Sequence, residues 1–287
     1  MKDTVLIYHG NCPDGFMAAV IFRKAAEDPA RIDFVAGVHQ EDPPQVAGKD
    51  VVLVDFSYKR PVILKMAERA KSILIVDHHI SAAEDLVDLP PNVKTIFDMD
   101  KSGAGLAWET FMKGKGMPAV VAYIQAQDLW RLDELANVSE VAAAIHSYDY
   151  DFELWDTWLD ADQGELIGRL AEEGASIGRK HLKDVKETIA AGRHELEIAG
   201  WKVPAVNAPR SMSSLAAGIL AEGQPFAASY HFSGEQVNFS LRSREGGEDV
   251  AAIAALYGGG GHRRAAGFRI PHDATGLNKA LRAALAG

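Results

Sequence analysis

Three short apolar runs narrow the architectures open to this chain more than any other feature. Val5-Leu6-Ile7-Tyr8, Val51-Val52-Leu53-Val54 and Ile73-Leu74-Ile75-Val76 are β-favouring and carry no charge. A strand that is apolar at every position must be covered on both faces, as happens in a parallel sheet flanked by helices. Helix-like stretches follow the first two runs, at 15–26 and 61–70, so the alternation implies right-handed βαβ units. From 103 to about 191 the pattern turns helical, with helices expected over 103–113, 118–127, 139–147 and 166–190. Strands return at 195–199, 202–207, 227–232 and 236–241, interleaved with helices at 213–221 and 249–257. We expect an α/β protein of two lobes. The N-terminal lobe is a parallel-sheet domain over 1–163, joined by a helix over 164–192 to a smaller C-terminal α/β domain over 193–287. The length of 287 residues agrees with two domains.

Composition removes several classes of function. Hydrophobic residues at 47% and charged residues at 24% exclude a mainly disordered chain. No apolar run approaches the ~18 residues of a membrane helix. Met1-Lys2-Asp3-Thr4 leads into only four apolar residues before His9, which does not read as a signal peptide. The single cysteine, Cys12, cannot form an intrachain disulfide, and this fits a reducing, cytoplasmic setting. A net charge of −10 argues against coating long duplex DNA, where phosphate neutralisation dominates affinity.

Each apolar run ends in ligand chemistry. His9 closes the first, with Asp14 five residues on; Asp55 closes the second; Asp77-His78-His79 closes the third. Ligands bind outside the carboxyl ends of the strands in open α/β sheets. Three neighbouring parallel strands would therefore bring these side chains into one crevice. A strand-terminal Asp is by itself a common turn former, and a His pair is commonly structural. Their coincidence at three strand ends points instead to a divalent first-row metal, with Mn²⁺ or Zn²⁺ more natural than Ca²⁺.

The tripeptide Asp77-His78-His79 after an apolar strand, with Asp55 closing an earlier one, resembles the DHH phosphoesterase superfamily. Gly258-Gly259-Gly260-Gly261-His262 with Ala265-Ala266-Gly267, preceded by Phe239-Ser240-Leu241-Arg242-Ser243, is similar to the glycine-rich signature of the DHH-associated C-terminal domain. The resemblance spans both lobes. It implies a nuclease or phosphodiesterase with metals in the N-terminal lobe and substrate recognition in the C-terminal lobe. Carried over by motif, His9, Asp14 and Asp55 would hold one Mn²⁺. Asp55 would bridge to a second ion held by His78 and by Asp128, the acid of Gln127-Asp128-Leu129-Trp130. His79 would face the scissile phosphate, and Asp77 would orient the adjacent imidazoles.

One departure from the family pattern stands out. The first motif usually has His followed by Asp-x-Asp, whereas here Asp14-Gly15 is followed by Phe16 and the His lies one residue farther away. The second carboxylate is then missing, so one ion is expected to be tight and the second weaker. Asn11 either replaces that carboxylate with an amide oxygen or is a turn residue. Cys12, in the same loop, is expected to pack. A nucleophilic cysteine needs a base and a depressed pKa, and metal-activated water would already be the nucleophile.

Four consecutive glycines weaken regular structure and make sense where backbone N–H groups approach an anion. From Phe239 to Arg269, five arginines against Glu245, Glu248 and Asp249 leave a charge of +2 within a chain of −10. We expect Gly259, Gly260, Gly261, His262 and Arg242 to hold substrate phosphate. Ser102 opens a helix and reads first as an N-cap, second as a phosphate contact. Trp155 and Trp158 read as anchors of helix packing.

These readings converge on a Mn²⁺-dependent phosphodiesterase acting on short single-stranded oligonucleotides or linear dinucleotides by metal-activated water. Asp55, Asp77 and His79 would carry the chemistry. Two alternatives stay open: a phosphomonoesterase acting on a nucleotide bisphosphate or inorganic polyphosphate, and a catalytically weakened nucleotide-binding protein. A homodimer is possible, and no membrane partner is expected.

Overall fold

The computed structural model describes residues 2–38 and 41–272. The chain divides into two compact units, one running to Gly178 and the other beginning at Arg179. The N-terminal unit starts with β1 (Thr4–His9), α1 (Pro13–Ala25), β2 (Ile32–Gly37), β3 (Asp50–Val54), α2 (Arg60–Ala67), β4 (Ser72–Asp77), α3 (Ile80–Asp85) and β5 (Val93–Phe97). Five helices follow: α4 (Gly103–Phe111), α5 (Ala119–Asp128), α6 (Val138–Ile145), α7 (Phe152–Asp160) and α8 (Gln163–Gly192). The boundary between the units falls within α8.

The first sheet is wholly parallel, in the order β2-β1-β3-β4-β5. The three apolar runs are thus its three central, adjacent strands. Successive side chains on a strand point to opposite faces, and the core follows that rule. Leu6, Val52, Val54 and Val76 join one apolar cluster with α1, α4 and α5. Val5, Ile7, Val51, Leu53, Ile73 and Ile75 join a second with Ile63 and Met66 of α2. Both faces are covered, and this is why the runs are apolar throughout.

The outer strands β2 and β5 were not expected. β5 reads Val-Lys-Thr-Ile-Phe with its three middle residues exposed, and β2 is only partly buried. An edge strand half open to water loses the continuous apolar pattern that marks a central one. The helix α7 was also missed, but its tryptophans behave as expected. Trp155 and Trp158 are buried and stacked with ring centroids 4.7 Å apart.

The second unit carries β6 (His194–Ile198), β7 (Trp201–Asn207), α9 (Arg210–Leu220), β8 (Ala227–Ser233), β9 (Gln236–Arg242), α10 (Val250–Ala255), β10 (Gly260–His262) and β11 (Ala265–Pro271). Its six-stranded sheet runs β10-β11-β9-β8-β7-β6, with only the β7–β8 pair parallel.

The glycine run differs from the anion-facing loop expected of it. Gly260 and Gly261 lie in β10 and pair with Gly267 and Ala266 of β11. The N–H groups of Gly258 and Gly259 donate to Ala255 O and Ala254 O at the end of α10. Close packing demands two of these glycines. A Cβ on Gly259 would stand 2.2 Å from Gly267 O, and one on Gly261, whose φ is +143°, would stand 2.5 Å from Ala265 O. No helix among the described residues is long and apolar enough to cross a membrane.

Candidate metal centre

Register places the three strand ends side by side. Tyr8 pairs with Val54, and Val54 with Val76, so the next residues, His9, Asp55 and Asp77, emerge level at the carboxyl edge of β1, β3 and β4. Asp55 is fixed there in a left-handed conformation (φ +54°), its N–H donating to Val76 O at 2.9 Å. Its carboxylate is 2% exposed and faces two ways. Oδ2 lies 3.3 Å from His9 Nδ1, and Oδ1 lies 3.1 Å from His78 Nε2.

Two groups of ligand-competent atoms meet around this shared carboxylate. His9, Cys12 and Asp55 form one; Asp14, His78 and Asp128 form the other, each with its atoms within 4.8 Å of one another. His78 Nε2 is 3.6 Å from Asp128 Oδ2 and 4.0 Å from Asp14 Oδ2. His79 joins Asp55 and His78 in a third, overlapping group. Asp77 organises the tripeptide: its Oδ1 accepts from His78 N at 2.8 Å and lies 2.7 Å from His79 Nδ1.

Asp14 is anchored from a distant part of the chain. Its Oδ1 accepts from Ser102 Oγ (2.6 Å) and Ala104 N (3.0 Å), and its Oδ2 from Gly103 N (2.6 Å). A carboxylate at a helix N-terminus satisfies orphan N–H donors and is favoured by the helix dipole. Ser102 is the N-cap of α4, accepting from Gly105 N at 3.3 Å, and is fully buried. Of the two readings of Ser102 the geometry carries the first, the N-cap, and corrects the second, the phosphate contact: the anion at this terminus is Asp14. Ser102→Ala should lower unfolding stability by about 2 kcal/mol through loss of a cap and of a bond to a charged group. Urea denaturation measures it, and a change as small as that of an ordinary surface substitution would contradict the assignment.

The electrostatics describe an anionic cluster short of positive charge. Burial, then the charges of Asp55 and Asp128, push the Asp14 carboxyl well above its ordinary range. Burial and the charge of Asp55 likewise raise Asp128. Burial also works against charge on Asp55 and His78. Their mutual hydrogen bond overrides it, holding Asp55 well below the usual carboxylate range and pushing His78 up to about 10. A divalent cation would relieve both strains: it compensates the crowded carboxylates and displaces the imidazole proton. The donor set of imidazole, carboxylate and thiol suits a first-row transition ion.

All five residues expected as metal ligands are brought together, but they are shared out differently. Asp14 stands with His78 and Asp128, and Cys12, expected to pack, stands with His9 and Asp55. Phe16 faces away from the cluster. It is 1% exposed in the apolar core, with ring centroids 4.7 Å from Phe152 and 5.0 Å from Trp155. Asp14 supplies its carboxylate to the group with His78 and Asp128, not to the group with His9 where it was expected. Asn11 is exposed with a left-handed φ of +55°, the conformation of a turn residue.

Sequence reasoning missed three supporting residues. A Cβ on Gly15 would lie 2.6 Å from His9 Cβ, and one on Gly103 would lie 2.3 Å from Asp55 Cβ. Gln125 Oε1 accepts from Ser102 N at 3.2 Å. The position of Gly15, beside Asp14 at a strand-to-helix turn, was the available signal for the first. The other two depend on contacts between residues well separated in sequence, Gly103 with Asp55 and Gln125 with Ser102.

In the C-terminal unit Arg242 donates to Ser214 Oγ (2.8 Å) and Leu241 O (2.8 Å), and burial lowers its guanidinium pKa to about 10. Among the described residues it has no carboxylate partner within 4.0 Å. His262 is exposed on β10.

No protein-family model matches the chain. An uncharacterized protein of Acanthamoeba polyphaga mimivirus is 30% identical over 290 residues, covering 92% of this chain; the chain spans 66% of that protein's length. Among solved structures, a DHH domain described as a member of a family of ribosomal proteins aligns with a TM-score of 0.57 at 15% identity, covering 93% of this chain and 82% of that one. The exonuclease RecJ bound to manganese aligns with a TM-score of 0.50 at 15% identity, covering 98% and 89%. RecJ of Thermus thermophilus in complex with Mn²⁺ gives 0.51 at 14% identity, covering 98% of this chain and 51% of that one.

Proposed function

We propose that the chain, which shares its fold with DHH-domain and RecJ structures, is a member of the DHH phosphoesterase superfamily and a metal-dependent phosphodiesterase acting on short single-stranded oligonucleotides or linear dinucleotides. The observation that carries this reading is the buried Asp55 carboxylate, with one oxygen toward His9 and the other toward His78. A single carboxylate serving two ligand groups is how two cations are kept close enough to act on one phosphate. Bound there, divalent ions would supply a nucleophile at neutral pH and stabilise the charge that develops in an in-line displacement.

The chain's own residues account for the rest. Asp77 fixes the His79 ring through Nδ1, and we assign the imidazole to a substrate phosphate oxygen. Asp14, His78 and Asp128 hold one side of the centre, with Asp55 shared. We assign phosphate recognition in the C-terminal unit to the side chains of Arg242 and His262, the glycine backbone being committed to the β10–β11 pairing and to the end of α10. That Arg242 has no carboxylate partner among the described residues supports this, since a half-buried cation without one is suited to an anionic ligand. RecJ, the exonuclease similar in fold, is seen with manganese, which supports Mn²⁺ as the working ion.

Release of p-nitrophenol from bis(p-nitrophenyl) phosphate, with and without Mn²⁺ and after chelation, tests the reaction class; short labelled RNA and DNA test the substrate. No Mn²⁺-stimulated hydrolysis of any of them would refute the proposal. Arg242→Ala and His262→Ala should raise KM for an oligonucleotide about tenfold while leaving hydrolysis of the small diester nearly unchanged, the pattern of lost uniform binding. Equal damage on both substrates would move these residues into the chemical step.

A further inference from the structure

We propose that Cys12 is a metal ligand, and that with His9 and Asp55 it makes one half of the centre prefer a thiophilic divalent cation such as Zn²⁺ over Mn²⁺ or Mg²⁺. This rests on the phosphoesterase reading for the presence of metal and goes beyond it in the donor set and the ion.

The two groups around Asp55 are chemically unlike. Asp14, His78 and Asp128 offer only oxygen and nitrogen, whereas the His9 side offers nitrogen, oxygen and the chain's single sulfur of a cysteine. The Cys12 thiol is in contact with the His9 imidazole, and His9 Nδ1 is itself 3.3 Å from Asp55 Oδ2. Neither ordinary task for a cysteine at this place is observed. Cys12 is the N-cap of α1, yet its side chain makes no capping hydrogen bond. It also belongs to none of the apolar clusters of the described residues.

A thiol becomes a ligand by releasing its proton to solvent as the sulfur–metal bond forms, with no change of oxidation state. Thiolate favours Zn²⁺ and Co²⁺ strongly over Mn²⁺ and Mg²⁺, while carboxylate and imidazole suit Mn²⁺. The centre so assembled is asymmetric, with its soft half at His9–Cys12–Asp55 and its harder half at Asp14–His78–Asp128.

Cobalt titration of the metal-free full chain tests this, because any thiolate-to-cobalt charge transfer must come from Cys12. Wild type should develop a near-ultraviolet charge-transfer band, and Zn²⁺ should displace it at lower concentration than Mn²⁺. Cys12→Ser, with its fold checked by circular dichroism, should lack the band and bind Zn²⁺ at least about tenfold more weakly. Cys12→Asp should also lack the band while gaining affinity for Mn²⁺ relative to Zn²⁺. If equilibrium dialysis finds Co²⁺ bound to wild type without the band, Cys12 is not a ligand and the metal centre stands without it. If wild type binds no divalent ion at all, this inference and the phosphoesterase reading both fail.

Discussion

Asp55→Asn is expected to lower phosphodiester hydrolysis about a thousandfold, equivalent to about 4 kcal/mol of transition-state stabilisation. The substitution keeps shape and removes the one charge that faces both His9 and His78. It should leave the fold intact, because Asn tolerates the left-handed conformation that Asp55 adopts at φ +54°. A thermal melt within a few degrees of wild type, together with the lost turnover, would identify the effect as chemical. Turnover within tenfold of wild type would show that Asp55 is not shared between two ions.

Gly103→Ala is expected to damage both stability and activity. The new methyl would stand 2.3 Å from Asp55 Cβ, far inside contact distance, and Asp55 sits on a backbone held by Val76. Overpacking of this kind costs about 1–3 kcal/mol. A displacement of about 1 Å at the shared carboxylate costs a further ~100-fold in rate. Gly168→Ala is the control: it lies within α8 with nothing near its Cβ position, so it should be neutral or stabilising by about 0.5–1 kcal/mol. Denaturant midpoints and turnover of the two variants decide the matter. Gly103→Ala behaving like the control would show that the approach of α4 to Asp55 does not hold the site.

The central strands were legible because burial on both faces writes itself as an unbroken apolar run. Their carboxyl ends followed directly, since His9, Asp55 and Asp77 lie one step beyond register-paired residues. The division of ligands was not legible, and the reason is helical geometry. The helix α1 begins at Pro13, two residues earlier than the sequence pattern indicates. Asp14 and Phe16 are therefore two positions apart on a helix, and such positions do not share a face. One faces the cluster and the other the aromatic core, a division that the spacing alone does not reveal. Likewise, nothing near Asp14 in sequence announces its partners Ser102, Gly103 and Ala104, which are brought to it by the packing of α4 against α1.

The hairpin of β10 and β11 changes what its glycine motif can be taken to mean. Gly259 and Gly261 have no room for a side chain for reasons internal to the sheet, whatever the unit binds. A descendant of this chain that lost its chemistry would still be held by selection to the same glycines, because folding alone enforces them. The motif therefore works as a marker of ancestry, and surveys built on it will gather active and silent members alike. Retained activity would be sorted better by the ligand-competent side chains gathered around Asp55.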